Sequence, residues 1–155
     1  VEEGSGGGGP PPHEGGEKSI ERFGAEASGP ERAALLDAFH SYLKAIAAGN
    51  SGTACSRLAA RVRHSLEQLA SGESRREGCA AILPRLLAPA AAGAARQQAE
   101  GRVTRIRVGG DRAFIVFHAP GARLYQLTLV REGGRWKAST ASPSILVPSA
   151  ATLGR

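Results

Sequence analysis

The apolar residues change period at Gly101, and that switch constrains the fold more than any other feature of the chain. Upstream, sizeable apolar side chains recur every three or four residues; downstream they alternate or fill short runs. The first spacing lines one face of a helix, the second one face of a strand. Helices segregated before strands predict an α+β fold, with N-terminal helices covering one face of an antiparallel sheet of about four strands.

The clearest helical stretch is "SGPERAALLDAFHSYLKAIAAGN". Leu35, Phe39, Tyr42, Leu43 and Ile46 form one stripe, Ser28 and Glu31 have capping-box spacing, Pro30 suits the first turn, and Gly49-Asn50 stops it. A helix is predicted over roughly 29–48. "SGTACSRLAARVRHSLEQLASGE" predicts a second, capped by Thr53 and ended by Gly72, with Cys55, Leu58, Val62, Leu66 and Leu69 on one face. "SRREGCAAILPRLLAPAA" predicts a third, with Cys79, Ile82, Leu83, Leu86 and Leu87 on one face and a break or kink at Pro84. Residues 93–101 read as a connector.

Strands follow. "RVTRIRV" alternates, and "GGD" turns. "RAFIVFH" is apolar on both sides, as a central strand must be. "RLYQLTLV" puts Tyr125, Leu127 and Leu129 on one face, with Gln126, Thr128 and Val130 on the other. "REGGR" is a hairpin loop, "WKASTAS" a final strand, and Ile145 to Val147 dock on the sheet edge.

Two segments are predicted: a flexible Gly/Pro/Glu-rich tether over 1–27 and one folded domain over 28–155. In the tether only Val1, Ile20 and Phe23 are sizeable apolar residues, too few to offset the entropy of ordering. Charge divides at the same boundary. Six glutamates against Lys18 and Arg22 give the tether −4, so with a net of +6 for the whole chain the domain carries +10. Such a domain could attract nucleic acid, an anionic lipid surface or an acidic wall polymer. The arginines are scattered singly, however, and only 5% of residues are aromatic, a poor supply for base stacking. Specific nucleic-acid binding is not expected. No run of 18 apolar residues is present to cross a membrane. A chain without an initial Met fits a mature form after signal-peptide removal, and equally a trimmed recombinant one.

Cys55 and Cys79 fall on the apolar stripes of neighbouring helices. Neither has a second thiol or a histidine at zinc-ligand spacing, so no metal site is expected. A disulfide is the expectation, over two buried thiols or a reactive thiol served by His64, and it implies an oxidising compartment.

The opening helix ending in "AIAAGN", the turn-and-strand "GDRAFIVF" and the hairpin "LTLVREGGRWKAS" together resemble the nuclear transport factor 2-like superfamily, which includes SnoaL-like and ketosteroid isomerase-like proteins. The likeness covers roughly residues 28–142, and within the superfamily the chain resembles small secreted or lipoprotein-type bacterial members with a cysteine pair in the helical part. It implies a curved, cone-like sheet with a ligand pocket against the opening helices. Phe39, Tyr42, His118, Tyr125 and Trp136 are the candidate lining. Isomerase chemistry needs a carboxylate base and an acid or Tyr donor in an apolar pocket. Here Asp111 and Glu132 sit at turns, and Asp37 lies off the helix stripe. The expectation is therefore an exported, non-enzymatic domain without a cofactor, extracellular or in the cell envelope. It would bind a small apolar ligand or a protein partner, with association at the envelope or membrane surface and a homodimer formed through the open sheet face. The alternative is a SnoaL-like or isomerase-like enzyme using Tyr42, His40 or His118 on a small hydrophobic substrate.

Overall fold

The computed structural model describes residues 16–69, 78–87, 90–119, 121 and 123–146. It is α+β. Six helices among these residues, α1 (Gly16–Glu21), α2 (Gly29–Ala47), α3 (Ser51–Ser56), α4 (Ala60–Leu69), α5 (Cys79–Leu86) and α6 (Ala91–Ala99), accompany an antiparallel sheet that does not close. Its strands are β1 (Ala25–Glu26), β2 (Arg102–Gly109), β3 (Arg112–His118), β4 (Leu124–Glu132), β5 (Arg135–Ala138) and β6 (Ser144–Ile145). They run in the order β1-β2-β3-β4-β5, and β6 pairs with β4 beside β5. The four expected strands are β2 to β5; β1 and β6 are short additions at the chain's two ends.

Strand β3 is the centre. From Ala113 to Phe117 every side chain is buried. Ala113, Ile115 and Phe117 face the helices and join Ile106, Leu127, Leu129 and Trp136 in the main core. Helix α2 lays Leu35, Phe39, Tyr42 and Leu43 onto this face. The tight β4–β5 hairpin turns on Gly133 and Gly134, both at positive φ (58° and 80°), a backbone that side chains with a Cβ resist.

Several local expectations are corrected. The stretch 51–69 is two helices, not one. At Arg57–Ala59 the chain leaves the helix and pairs with the free edge of β5: Ala138 N–H donates to Arg57 O and Ala59 N–H to Ala138 O, both at 2.8 Å. An open strand edge offers unpaired groups that outweigh one more helical turn. The cap of α3 is Asn50, whose side chain accepts from Thr53 N–H, and not Thr53. Ser28 stands at the N-cap of α2 but makes no capping bond; Glu31 instead pairs with Arg131 at 2.8 Å across on β4. Pro84 lies inside the last turn of α5 without breaking it. Residues 93–101 are largely helix α6, whose Ala95 and Ala99 bury against the main core. Alanine carries little apolar signal, yet it lets helices approach closely. The expected stop at Gly72 and the docking of Val147 lie outside the described residues.

The predicted tether is also corrected from Gly16 onward. Ile20 and Phe23 are buried with Phe114, Val116, Leu124 and Leu146 in a second cluster on the sheet's outer face. Phe23 meets Phe114 edge-on, with ring centroids 4.9 Å apart. Gly24 turns the chain at φ +53°, where a Cβ would collide with the Val108 carbonyl. Two apolar side chains suffice because they meet an apolar sheet face already formed, and because β2 grips the segment. Arg107 donates to Phe23 O and Gly24 O, each at 2.9 Å, and lies 3.7 Å from Glu26. Ile106 N–H donates to the Glu26 carboxylate at 3.0 Å, and Arg105 lies 3.4 Å from Glu21. The face expected to be open for a second copy therefore carries a strap.

Cys55 and Cys79 are joined, tying α3 to α5 across 24 residues of sequence. Closing a loop of that length in the unfolded chain is worth about 3 kcal/mol. Reduction, or Cys55→Ser with Cys79→Ser, is expected to lower the Tm by on the order of 10 °C, read by calorimetry with and without reductant. Phe23→Ala is expected to cost about 3 kcal/mol in urea unfolding; a cost near zero would return residues 16–26 to the status of a tether.

Candidate functional site

Of the five residues expected to line a helix-side pocket, Phe39, Tyr42, Tyr125 and Trp136 lie on the helix side of the sheet, but as packing, whereas His118 alternates with Phe117 onto the opposite face beside Leu124. Phe39 meets Phe117 edge-on at 4.8 Å, and Phe117 stacks on Tyr125 at 5.6 Å. Tyr42 is fully buried, and its hydroxyl donates to Ala141 O at 2.6 Å. Burial without a compensating charge pushes the Tyr42 phenol well above its ordinary range, so it stays a neutral donor. Trp136 is buried under the Arg131 guanidinium, which lies 4.6 Å from the ring centroid. His118 ends β3, paired across the sheet with Arg102 and Leu124. None of the five lines any of four cavities found in the fold. His40, half-buried beside Phe39, is held below its usual pKa by burial and then by Lys44, with Asp37 and the Leu36 backbone opposing. Among the described residues no three His, Cys, Asp or Glu side chains gather as metal ligands, and no helix is long and apolar enough to cross a membrane.

The largest of the four cavities, about 660 Å³, lies on the other face of the sheet. Its floor is the outer surface of β3 and β4: Arg112, Phe114, Gln126, Thr128 and Val130. Alternation along β4 sends Gln126 and Thr128 outward while Leu127 and Leu129 turn to the helices. One wall is the chain after β5, with Ser139, Thr140 and Ser144; another is the start of α4, with Ala59 and Arg61. Ser139 Oγ donates to Thr128 Oγ1 at 2.7 Å. Glu132, at the end of β4, holds both carboxylate oxygens to Ala60 N–H, at 3.2 and 3.1 Å, and so caps α4.

Gln126 is the residue that separates this cavity from an ordinary surface hollow. It is only 6% exposed, yet its Oε1 has no hydrogen-bond partner among the described residues. Its strand neighbours are Val116 on β3 and Ser144 on β6. A buried amide oxygen left unpaired costs about 1–3 kcal/mol. Chemically the lining offers a hydroxyl pair, two arginines and the Glu132 carboxylate around a floor of mixed polarity. That set can bind and orient; it includes no nucleophile activated by a base.

Sequence reasoning missed Gln126, Thr128, Ser139, Ser144, Arg61 and Arg112. One signal was present: β4 carries polar residues on the face opposite Tyr125 and Leu127, beside a β3 whose matching outer face is Phe114 and Val116. A polar side chain laid against a two-sided apolar strand marks a change in what covers that face.

Comparison of the chain with protein-family models, with curated proteins and with solved structures finds no match.

The packing role of Tyr42 has a measurable consequence. Tyr42→Phe leaves the Ala141 carbonyl without its donor and is expected to cost about 1–2 kcal/mol in chemical denaturation. A neutral result would mean that the hydroxyl is free for other work.

Proposed function

We propose that this chain is a non-enzymatic binding domain, nuclear transport factor 2-like in architecture and exported to the cell exterior or envelope. We place its ligand seat in the outer-face cavity over β3 and β4. The carrying observation is Gln126, a polar side chain only 6% exposed that lines the floor of that cavity. A concave cavity with a few convergent polar groups in its wall is the usual form of a binding seat. The polar lining favours a polar ligand over the apolar one expected from the sequence. Export is supported by the Cys55–Cys79 bridge, since disulfides persist chiefly in oxidising compartments. The architectural likeness is supported by helices laid on one face of an antiparallel sheet and by the Gly133–Gly134 hairpin before Trp136. The enzyme alternative needs an ionisable pair in an apolar pocket. Tyr42 gives its hydroxyl to a backbone carbonyl, and Phe39 and Phe117 occupy the space beside it. A protein partner or a second copy approaching the outer face would meet the N-terminal strap first.

A ligand-independent experiment tests the seat. Gln126→Met keeps the shape and removes the unpaired amide. Stability is expected to rise by about 1 kcal/mol, a Tm gain of several degrees in differential scanning calorimetry. A fall in Tm would show that the amide holds the sheet together, and would remove the reason to seat a ligand there.

A further inference from the structure

We infer that a second seat lies in the helical layer, in a trough between α2 and α6, and that it takes a neutral aliphatic chain ending in one hydroxyl or amide group. It is separate from the outer-face cavity and shares no lining residue with it. Two hollows of about 220 and 200 Å³ meet there, with Ile46, Leu87 and Ala91 common to both. Each alone is smaller than a usual ligand pocket of about 300–1,000 Å³, but joined along α2 they form one narrow trough. Its depth comes from alanine. Ala91, Ala94 and Ala95 on α6 lie opposite Leu43 and Ile46 on α2, and leave space that larger side chains would fill.

The lining specifies the occupant. Among the described residues no Lys, Arg, Asp, Glu or His lines either hollow, although 22% of the chain is charged. A charged ligand group would be desolvated there without a counter-ion, so the occupant is neutral. Polar side chains stand only toward the two ends, Gln98 and Ser142 at one and Ser51 at the other. The Gln98 amide and the Ser142 hydroxyl make no hydrogen bond to another described residue. A ligand hydroxyl or amide laid against them gains a bond without breaking one inside the protein. Between Ala91 and Gln98 helix α6 advances about 10 Å, the reach of an extended chain of about eight carbons at about 1.5 Å per bond. The apolar side chains are sunk rather than raised: none of the exposed large hydrophobics, Leu69, Leu86 and Ile145, lines the trough. A protein interface needs a broad raised patch, so a small molecule is the occupant that fits.

The test is a titration of the oxidised, full-length chain with 1-octanol, followed by amide and methyl NMR. Shifts are expected at Ile46, Leu87, Ala91 and Gln98, and none at Thr128 or Ser139. 1-Butanol, four methylenes shorter, should bind about a hundredfold more weakly, and octanoate about tenfold more weakly than 1-octanol. Ala94→Leu and, separately, Ala91→Leu place a helix-favouring side chain in the trough and should each abolish binding. Gly93→Ala, in open space on the same helix, should leave it unchanged. Octanoate binding as tightly as 1-octanol would assign the affinity to the basic surface and overturn the inference. The same shifts on raising protein concentration alone would make the trough a contact between copies and overturn it too. So would unchanged binding in both leucine variants, or no shift with 1-octanol. None of these outcomes bears on the outer-face cavity.

Discussion

A strand buried on both faces needs two covers, and everything else in this fold follows from supplying them to β3. A strand at the middle of an antiparallel sheet ordinarily has one dry and one wet face. Here Phe114 and Val116 are as apolar as Ile115 and Phe117 on the opposite side. The helical layer answers the inner face through Phe39, Tyr42 and Leu43. The outer face is answered from both ends of the chain, by Ile20 and Phe23 before the helices and by Leu146 after the sheet. Single residues from distant segments suffice because the sheet has already ordered the surface they meet.

The charge pattern belongs to the same solution. An acidic N-terminus and a basic remainder read as a tether and a sticky domain, but the charges meet each other. Arg107 grips two carbonyls of the strap and lies beside Glu26, while Arg105 faces Glu21. These pairs are partly exposed and each contributes little alone. Their effect is directional: they set where the strap crosses β2, and the apolar contacts of Phe23 and Ile20 then supply the energy. Two of the three β2 arginines, Arg105 and Arg107, are thereby held by the protein's own acidic segment.

Legibility followed signal strength. The period change at Gly101, the two-sided β3 and the long stripe of α2 were readable because each involves many large side chains in register. The bridge was readable as a preference because Cys55 and Cys79 share stripes with leucines. What escaped rests on one or two residues, or on contacts distant in sequence. Leu58 looked like one more step of a helical stripe, and only the free edge of β5 makes it leave the helix. Alanine-rich α6 carries too little apolar contrast to show a period. Gln126 was placed on the correct face of β4, but nothing local could say that the face would be buried. That depends on where the chain goes after β5.

That path also connects the expected site with the observed one. The neighbour of β4 changes along its length: β5 pairs with Leu129 to Glu132, and β6 with Tyr125 and Gln126. Between them the chain leaves the sheet, with Ser139 N–H bonded to Thr128 O, and returns at Ser144. The excursion is pinned at its middle, where Tyr42 donates to Ala141 O from the helix side. Ser139 and Thr140 on one side of that pin, and Ser144 on the other, are cavity wall. Tyr42 therefore acts on the cavity from behind the sheet, as a positioning residue and not as a pocket lining. Phe39 and Phe117 fill the space beside it, so the inner face is closed by the same helix that fixes the outer wall. The strap covers Phe114 and Leu124, and beyond it the cavity opens beside Gln126 and Thr128. It is there, at the cavity, that the second cover of β3 stops.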